Sequence, residues 1–152
     1  MEEISTQTRH RTFVYTTELG SIGPLAGILS SPGKQEIRVS SPPEFKGEAG
    51  VWTPEHFFVA AVDSCTMMTF LALARRQGLG VIKYSSQATG VLELVEGKYG
   101  FSKITIESHI SVEHIEDIRK TKDLLNEAHR TCLIANSIRS EVAMEPIVQW
   151  IP

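Results

Sequence analysis

The stretch that decides the fold is TPEHFFVAAVDSCTMMTFLALARRQG, residues 53–78. Thr53 is a good helix N-cap, Pro54 is favoured at the first helical position, and Glu55 suits the positive end of a helix. Gly78 is a typical helix stop. These signals predict one long α-helix from about residue 54 to residue 77.

Apolar residues occupy every face of this helix, so all of its sides must be covered. At about 1.5 Å per residue, the apolar run of residues 57–74 reaches some 27 Å, slightly short of a membrane core. Asp63 lies in its middle, and an ionisable group is costly in lipid. We therefore expect a buried helix of a soluble protein, completed by oligomerisation, with no membrane partner.

Shorter elements flank the helix. Strands rich in β-branched residues are predicted at residues 11–19, 25–30 and 35–41, and a Pro- and Gly-containing loop follows at residues 40–50. After the helix we expect a hairpin with arms 84–95 and 101–112, a second helix at 114–131 and a strand at 141–149. The predicted fold class is α+β, with a single domain over residues 1–152.

Two patterns indicate which faces are buried. On the second arm of the hairpin, alternate residues from 104 to 112 are mostly apolar and should face the core, while residues 103, 105, 107, 109 and 111 should face solvent. On the second helix, one apolar stripe contains Ile118, Leu125, Ala128 and Cys132. Cys132 thus extends a stripe that faces the core.

Composition excludes several classes of protein. The chain has 152 residues, 41% of them apolar and 22% charged, and a net charge of −3. These values exclude a disordered chain, and the absence of a basic excess argues against a nucleic-acid partner. The acidic N-terminus does not resemble a signal peptide. With only two cysteines, we expect a cytoplasmic protein with free thiols or a redox pair.

Cys65 and Cys132 are the candidate chemical groups, although small core residues are an alternative interpretation of both. His129 lies three residues before Cys132 and could join the two thiols as a metal ligand. No CxxC or HExxH pattern accompanies these residues, so we expect no metal and no cofactor.

The segment TPEHFFVAAVDSC resembles the first signature of the OsmC/Ohr family, the osmotically inducible and organic-hydroperoxide-resistance proteins. In that signature a cysteine follows a glutamate by ten residues, as Cys65 follows Glu55. CLIANSI, residues 132–138, is similar to the second signature, in which a proline follows the cysteine. The order of predicted elements also fits, so the resemblance covers nearly the whole chain.

The resemblance implies an intertwined α+β homodimer, with antiparallel sheets packed around the long buried central helix. It also implies a thiol peroxidase that reduces organic hydroperoxides, with Cys65 as peroxidatic thiol and Cys132 as resolving thiol. An external dithiol or thiol protein would then reduce the disulfide. Ten residues along a helix place Glu55 about 15 Å and some 80° from Cys65, so we expect Glu55 to serve Cys65 of a partner chain.

The family's peroxidases also place an arginine in the first β-hairpin, where it stabilises the thiolate. Residues 18–27 contain no arginine. Candidate replacements are Arg9, Arg11, Arg38, Arg130 and His56. Two alternatives to the enzyme follow from this departure: a non-catalytic dimer that binds a small apolar ligand, and a thiol redox sensor.

Overall fold

The computed structural model describes residues 10–152, which form six β-strands and two α-helices. The chain divides into two compact units, residues 1–54 and residues 55–152. The strands and helices confirm the predicted α+β class. The prediction of a single domain remains a prediction.

The first unit contains one antiparallel sheet in the order β1-β2-β3, formed by β1 (Glu18–Gly23), β2 (Ala26–Ser30) and β3 (Ile37–Ser40). The strand predicted at residues 11–19 is wrong over most of its length, because residues 11–17 have no pairing strand in the described chain. The predicted turn at residues 20–24 is also displaced. Residues 20–23 belong to β1, and the chain turns at Pro24, where the fixed φ of proline suits the first central position of a turn.

The loop predicted at residues 40–50 is confirmed, apart from a short 3₁₀ helix at Pro43–Phe45. Gly47 is required there. A Cβ atom at this position would collide with the backbone of Ser41, so no other residue fits without moving the chain. This loop leads to α1, the long predicted helix.

Helix α1 runs from Pro54 to Arg76 and confirms the prediction. Two backbone hydrogen bonds close its C-terminus, from Leu79 N–H to the Ala74 carbonyl (2.9 Å) and from Gly78 N–H to the Arg75 carbonyl (3.2 Å). Gly78 has a φ of 65°, the left-handed conformation that this capping motif needs. The stop signal in the sequence therefore acts as expected.

The described chain covers α1 on one side only. Its buried residues are Val62, Thr66, Phe70, Leu73 and Ala74, and Met68 is 56% exposed. By length and composition alone, with a mean hydropathy of 1.8, this helix could cross a membrane; core helices of soluble proteins meet the same criterion. One chain thus leaves part of α1 uncovered, as the sequence leads us to expect, and its cover by a second chain remains a prediction.

The second sheet contains β4 (Val81–Val95), β5 (Lys98–Val112) and β6 (Glu141–Trp150), in that order. Strands β4 and β5 form the predicted hairpin, and Glu96 and Gly97 have the positive φ angles of a tight two-residue turn. The expectation of purely antiparallel sheets is wrong, because β6 pairs parallel to β5. The crossover between them contains a whole helix, which is long enough to return the chain to the same end of the sheet.

That helix, α2 (Asp117–Thr131), starts three residues later than predicted. The residues before it form a turn instead, in which the His114 carbonyl accepts a hydrogen bond from the Asp117 N–H (3.1 Å). Its apolar stripe is confirmed: Leu125, Ala128 and Cys132 are fully buried. The inward face of β5 is also buried, at residues 104, 106, 108, 110 and 112. Ser111 on the opposite face is an exception to the prediction: it is buried and accepts a hydrogen bond from the Gln149 side chain (3.1 Å).

Candidate active site

The structure brings Cys65 and Cys132 together. Cys65 lies in the middle of α1 and is partly exposed, whereas Cys132 forms the C-cap of α2 and is completely buried. Both are free thiols, and they lie close enough for the side chain of each to shift the pKa of the other. Two residues far apart in sequence therefore form one dithiol pair.

Two donors contact the Cys132 sulfur. The Ala135 backbone N–H donates to it at 3.5 Å, and the Thr66 hydroxyl lies 3.7 Å away. The backbone of Cys132 is extended, with φ −63° and ψ 116°, which ends α2 and turns the following residues back toward the thiols. Burial raises the pKa of Cys132; the Cys65 side chain also raises it, and the Ala135 and Thr66 donors only partly offset this. Cys132 is thus held as a protonated thiol.

The pKa of Cys65 is shifted in the opposite direction. Burial raises it, but hydrogen bonds from the Ile134 backbone N–H, the Cys132 side chain, the Leu133 backbone N–H and the Thr69 side chain outweigh burial. The net pKa lies below the ordinary value for cysteine. A thiolate is the reactive form of cysteine, so Cys65 is the better nucleophile of the pair.

The donors to Cys65 are backbone and side-chain hydrogen-bond donors, and none of them is a cation. Of the cations that the sequence offered, Arg38 forms an ion pair with Glu48 (2.7 Å), and Arg11 and Arg130 are exposed. Arg9 lies outside the described residues. His56 is exposed on the first turn of α1, and no shift of the Cys65 pKa is traced to it.

Sequence reasoning missed the donors that surround the thiols. Backbone N–H groups have no signature in a sequence, but one signal was available at Leu133, which stands where the family signature has proline. Proline has no N–H, so this departure creates a donor. Thr66 and Thr69 were overlooked because helical threonines ordinarily bond to their own backbone, and both do so here, to Val62 and Cys65 carbonyls.

Glu55 is not among the groups that shift the pKa of Cys65. One of its carboxylate oxygens, Oε2, is buried and has no hydrogen-bond partner among residues 10–152. An unpaired buried carboxylate oxygen is costly, so this atom requires a donor. The predicted role of Glu55, which involves Cys65 of a second chain, therefore remains a prediction.

Asp63, near Cys65 on α1, accepts a hydrogen bond from the Ser86 hydroxyl at 2.7 Å. Burial and the charge of Asp63 raise the pKa of Tyr84, which lies on the same strand as Ser86. Asp63 therefore contributes to the packing between α1 and β4. Within residues 10–152, no three His, Cys, Asp or Glu side chains are grouped as a metal site requires.

A cavity of about 930 Å³ lies in the second unit, beside the turn between β4 and β5. Its walls include Phe58 and Phe101, whose rings stack 4.8 Å apart, and two cationic residues, Lys98 and Arg139. Neither cysteine lines this cavity. A dry, uncharged pocket lined by the thiols would favour an apolar ligand. This cavity differs from such a pocket in both respects, because it carries two cations and is not lined by either thiol.

These features define a dithiol α+β protein, with one thiol on a long helix and the other at the end of the second helix. The sequence matches the OsmC-like protein family over residues 47–146. The match covers more than half of the chain, so the protein belongs to the OsmC-like family.

Relatives support this membership. The uncharacterized protein YmaD of Bacillus subtilis (strain 168) is 22% identical over 122 residues, which cover 78% of this chain and 81% of the relative. An OsmC-like protein of unknown function from Vibrio cholerae has a TM-score of 0.83 at 24% identity and covers 90% of this chain and 100% of its own. An organic hydroperoxide resistance protein from Elizabethkingia anophelis has a TM-score of 0.70 at 20% identity, with 93% and 100% covered. At these identities the solved structures show a shared fold.

Proposed function

We propose that this protein is a thiol peroxidase that reduces organic hydroperoxides, with Cys65 as the peroxidatic thiol and Cys132 as the resolving thiol. The observation that carries the proposal is the proximity of two free thiols with opposite pKa shifts, where Thr66, the neighbour of Cys65 on α1, lies 3.7 Å from the Cys132 sulfur. The name of the related Elizabethkingia protein, an organic hydroperoxide resistance protein, supports the choice of substrate.

The chemistry proceeds in three balanced steps. The Cys65 thiolate attacks the terminal peroxide oxygen, the O–O bond breaks, and the leaving alkoxide takes a proton to become an alcohol. The resulting sulfenic acid then reacts with the Cys132 thiol: an S–S bond forms, the S–O bond breaks, and the hydroxide leaves as water with the thiol proton. An external dithiol or thiol protein finally reduces the disulfide by thiol–disulfide exchange. No cofactor takes part.

The proposal includes a homodimer in which Glu55 of one chain is a positioning residue near Cys65 of the other. Its buried and unpartnered Oε2 supports this role, because a second chain could supply the missing donor. The uncovered apolar side of α1 supports the dimer itself. We retain the cytoplasm as the proposed location.

A thiol redox sensor is the second candidate, because the same dithiol contact would also form a reporting disulfide. The two functions differ in turnover. A peroxidase consumes many equivalents of peroxide when a dithiol is supplied, whereas a sensor is oxidised once and then stays oxidised until it meets its partner.

The deciding experiment measures consumption of cumene hydroperoxide and hydrogen peroxide by the reduced protein with dithiothreitol present. We expect turnover that favours the organic peroxide, no turnover in Cys65→Ser, and oxidation without bridge formation in Cys132→Ser. Mass spectrometry distinguishes the sulfenic acid from the bridge. Oxidation of Cys65 no faster than that of free cysteine would refute the peroxidase, and bridging without turnover would favour the sensor.

A further inference from the structure

The hydroxyl group of Thr66 has one contact that helix formation does not explain. Thr66 follows Cys65 on α1 and is completely buried. Its hydroxyl donates to the Val62 carbonyl at 2.9 Å, which is an ordinary bond for a helical threonine. The same oxygen also lies 3.7 Å from the sulfur of Cys132, across the space between the two helices.

The Cys132 sulfur has two hydrogen-bond donors among its neighbours. The Ala135 backbone N–H donates to it at 3.5 Å, and the Thr66 hydroxyl can turn its proton from the Val62 carbonyl toward the sulfur. Both donors favour the ionised sulfur and so lower the pKa of Cys132.

The second step of the proposed reaction requires the Cys132 sulfur to lose its proton. The S–S bond forms as Cys132 attacks the Cys65 sulfenic acid, and the thiol proton leaves with the sulfenic hydroxide as water. Negative charge therefore develops on the Cys132 sulfur as its proton departs. A donor that remains on this sulfur stabilises that charge.

We propose that Thr66 is a positioning residue for this resolving step, in which its hydroxyl donates to the Cys132 sulfur while the thiol proton leaves with the sulfenic hydroxide. The inference rests on the proposed peroxidase function. It assigns Thr66 to the formation of the bridge rather than to the attack on peroxide, because Thr66 is not among the hydrogen-bonding partners of Cys65.

The test compares three variants. Thr66→Val removes the hydroxyl at nearly constant volume, and Thr66→Ser retains it. Thr121→Val is the matched control: Thr121 is also completely buried in a helix, and its hydroxyl donates to the Asp117 carbonyl (2.7 Å) without contacting either cysteine. Each reduced protein is mixed with cumene hydroperoxide, and rapid quenching with mass spectrometry follows the sulfenic acid and the Cys65–Cys132 bridge separately.

Loss of one neutral hydrogen bond predicts that Thr66→Val forms the bridge about threefold to tenfold more slowly and accumulates sulfenic acid. Thr66→Ser should recover most of the rate, and Thr121→Val should bridge like the wild type even if both valine variants lose similar thermal stability. Equal bridging rates in the two valine variants would overturn the role of Thr66. Absence of any Cys65 oxidation in the wild type would instead overturn the peroxidase and this role with it.

A second measurement needs no peroxide. Thr66 donates to Cys132 when that sulfur ionises and so lowers its pKa. Thr66→Val should therefore raise the pH at which Cys132 ionises, as followed by an NMR pH titration of its Cβ signal, and Thr121→Val should not. An unchanged titration of Cys132 in Thr66→Val would contradict the contact on which the inference depends.

Discussion

Cys65 lies about three turns from the start of α1, too far for the helix dipole to stabilise its thiolate. The donors that lower its pKa come mainly from the chain after α2, as the N–H groups of Leu133 and Ile134. Fixed donors are effective in a partly buried site, where water competes less for the thiolate. Neutral donors can therefore supply what the peroxidases of this family obtain from an arginine.

Replacing Leu133 by proline tests this explanation. Leu133→Pro removes one N–H, and the extended conformation of Cys132 (ψ 116°) is one that proline accepts in the preceding residue. Loss of this donor should raise the pKa of Cys65, because the thiolate loses a hydrogen bond that favours it. The measurement is iodoacetamide alkylation of Cys65 against pH, followed by mass spectrometry.

Leu133→Ala is the matched control, because it keeps the N–H and removes a side chain that is 75% exposed. We expect its alkylation profile to match that of the wild type. If Leu133→Pro and Leu133→Ala behave alike, the backbone donor does not matter for the reactivity of Cys65.

The opposite pKa shifts of the two thiols predict a pH dependence. A lowered pKa keeps Cys65 ionised at pH values where free cysteine is protonated, and a raised pKa keeps Cys132 protonated at pH values where free cysteine has ionised. Cys65 should therefore ionise at lower pH than Cys132. An NMR pH titration of the two cysteine Cβ signals measures both without requiring a reagent to reach them, and earlier ionisation of Cys132 would contradict the proposed order of the two thiols.

The site was predictable from the sequence only in part. The resemblance pointed to the two cysteines, because both signatures place them in register, and their pairing in a disulfide remains a prediction. The donors did not, because whether an N–H faces a sulfur depends on backbone angles such as those of Cys132. Thr66 was equally hidden, since its second contact joins α1 to a residue far away in the chain.

At the scale of the elements, predictions succeeded where the signal is local. Both ends of α1 follow from Pro54 and Gly78, and the turn between β4 and β5 follows from Gly97. Predictions failed where the outcome depends on a distant partner. Residues 11–17 have the composition of a strand but form no strand within the described chain, and no sequence pattern indicated that β6 would run parallel to β5.

Gly90 shows how closely α1 approaches the second sheet. A Cβ atom at Gly90 would lie 2.6 Å from the Val59 side chain on α1 and 2.8 Å from the Phe101 ring. We expect Gly90→Ala to destabilise the protein by about 1–3 kcal/mol through overpacking. Urea unfolding measures this difference.

The control for that variant is Gly100→Ala on the neighbouring strand, where a Cβ atom would meet nothing within 4 Å. It should leave the unfolding midpoint nearly unchanged. A similar loss of stability in both variants would show that the loss comes from the strand backbone rather than from contact with α1.

At the scale of the whole molecule, the uncovered side of α1 is the feature that one chain leaves unexplained. An apolar helix with only one buried side exposes a surface that soluble proteins normally cover. A second copy of the chain is the cover that we propose. The same assembly would provide a partner for Glu55.

Light scattering on the purified protein tests the dimer, with an expected mass of about twice 16.8 kDa. Met68→Lys, which places a charge on the exposed apolar side of α1, should weaken the dimer and lower the melting temperature. Asn126→Lys is the control, since it adds the same charge at an exposed position of α2. A monomeric wild type, or equal effects of the two lysines, would contradict this arrangement.

The complete burial of Cys132 decides which sulfur of an oxidised pair a reductant can reach. An incoming thiolate must approach the sulfur it attacks, and in the described chain Cys65 is the accessible one. In the proposed peroxidase the mixed disulfide would therefore form on Cys65, with Cys132 as the leaving group. A thiol whose pKa is raised leaves slowly. Reduction of the Cys65–Cys132 disulfide, rather than cleavage of the peroxide, would then be the rate-limiting step of the proposed catalytic cycle.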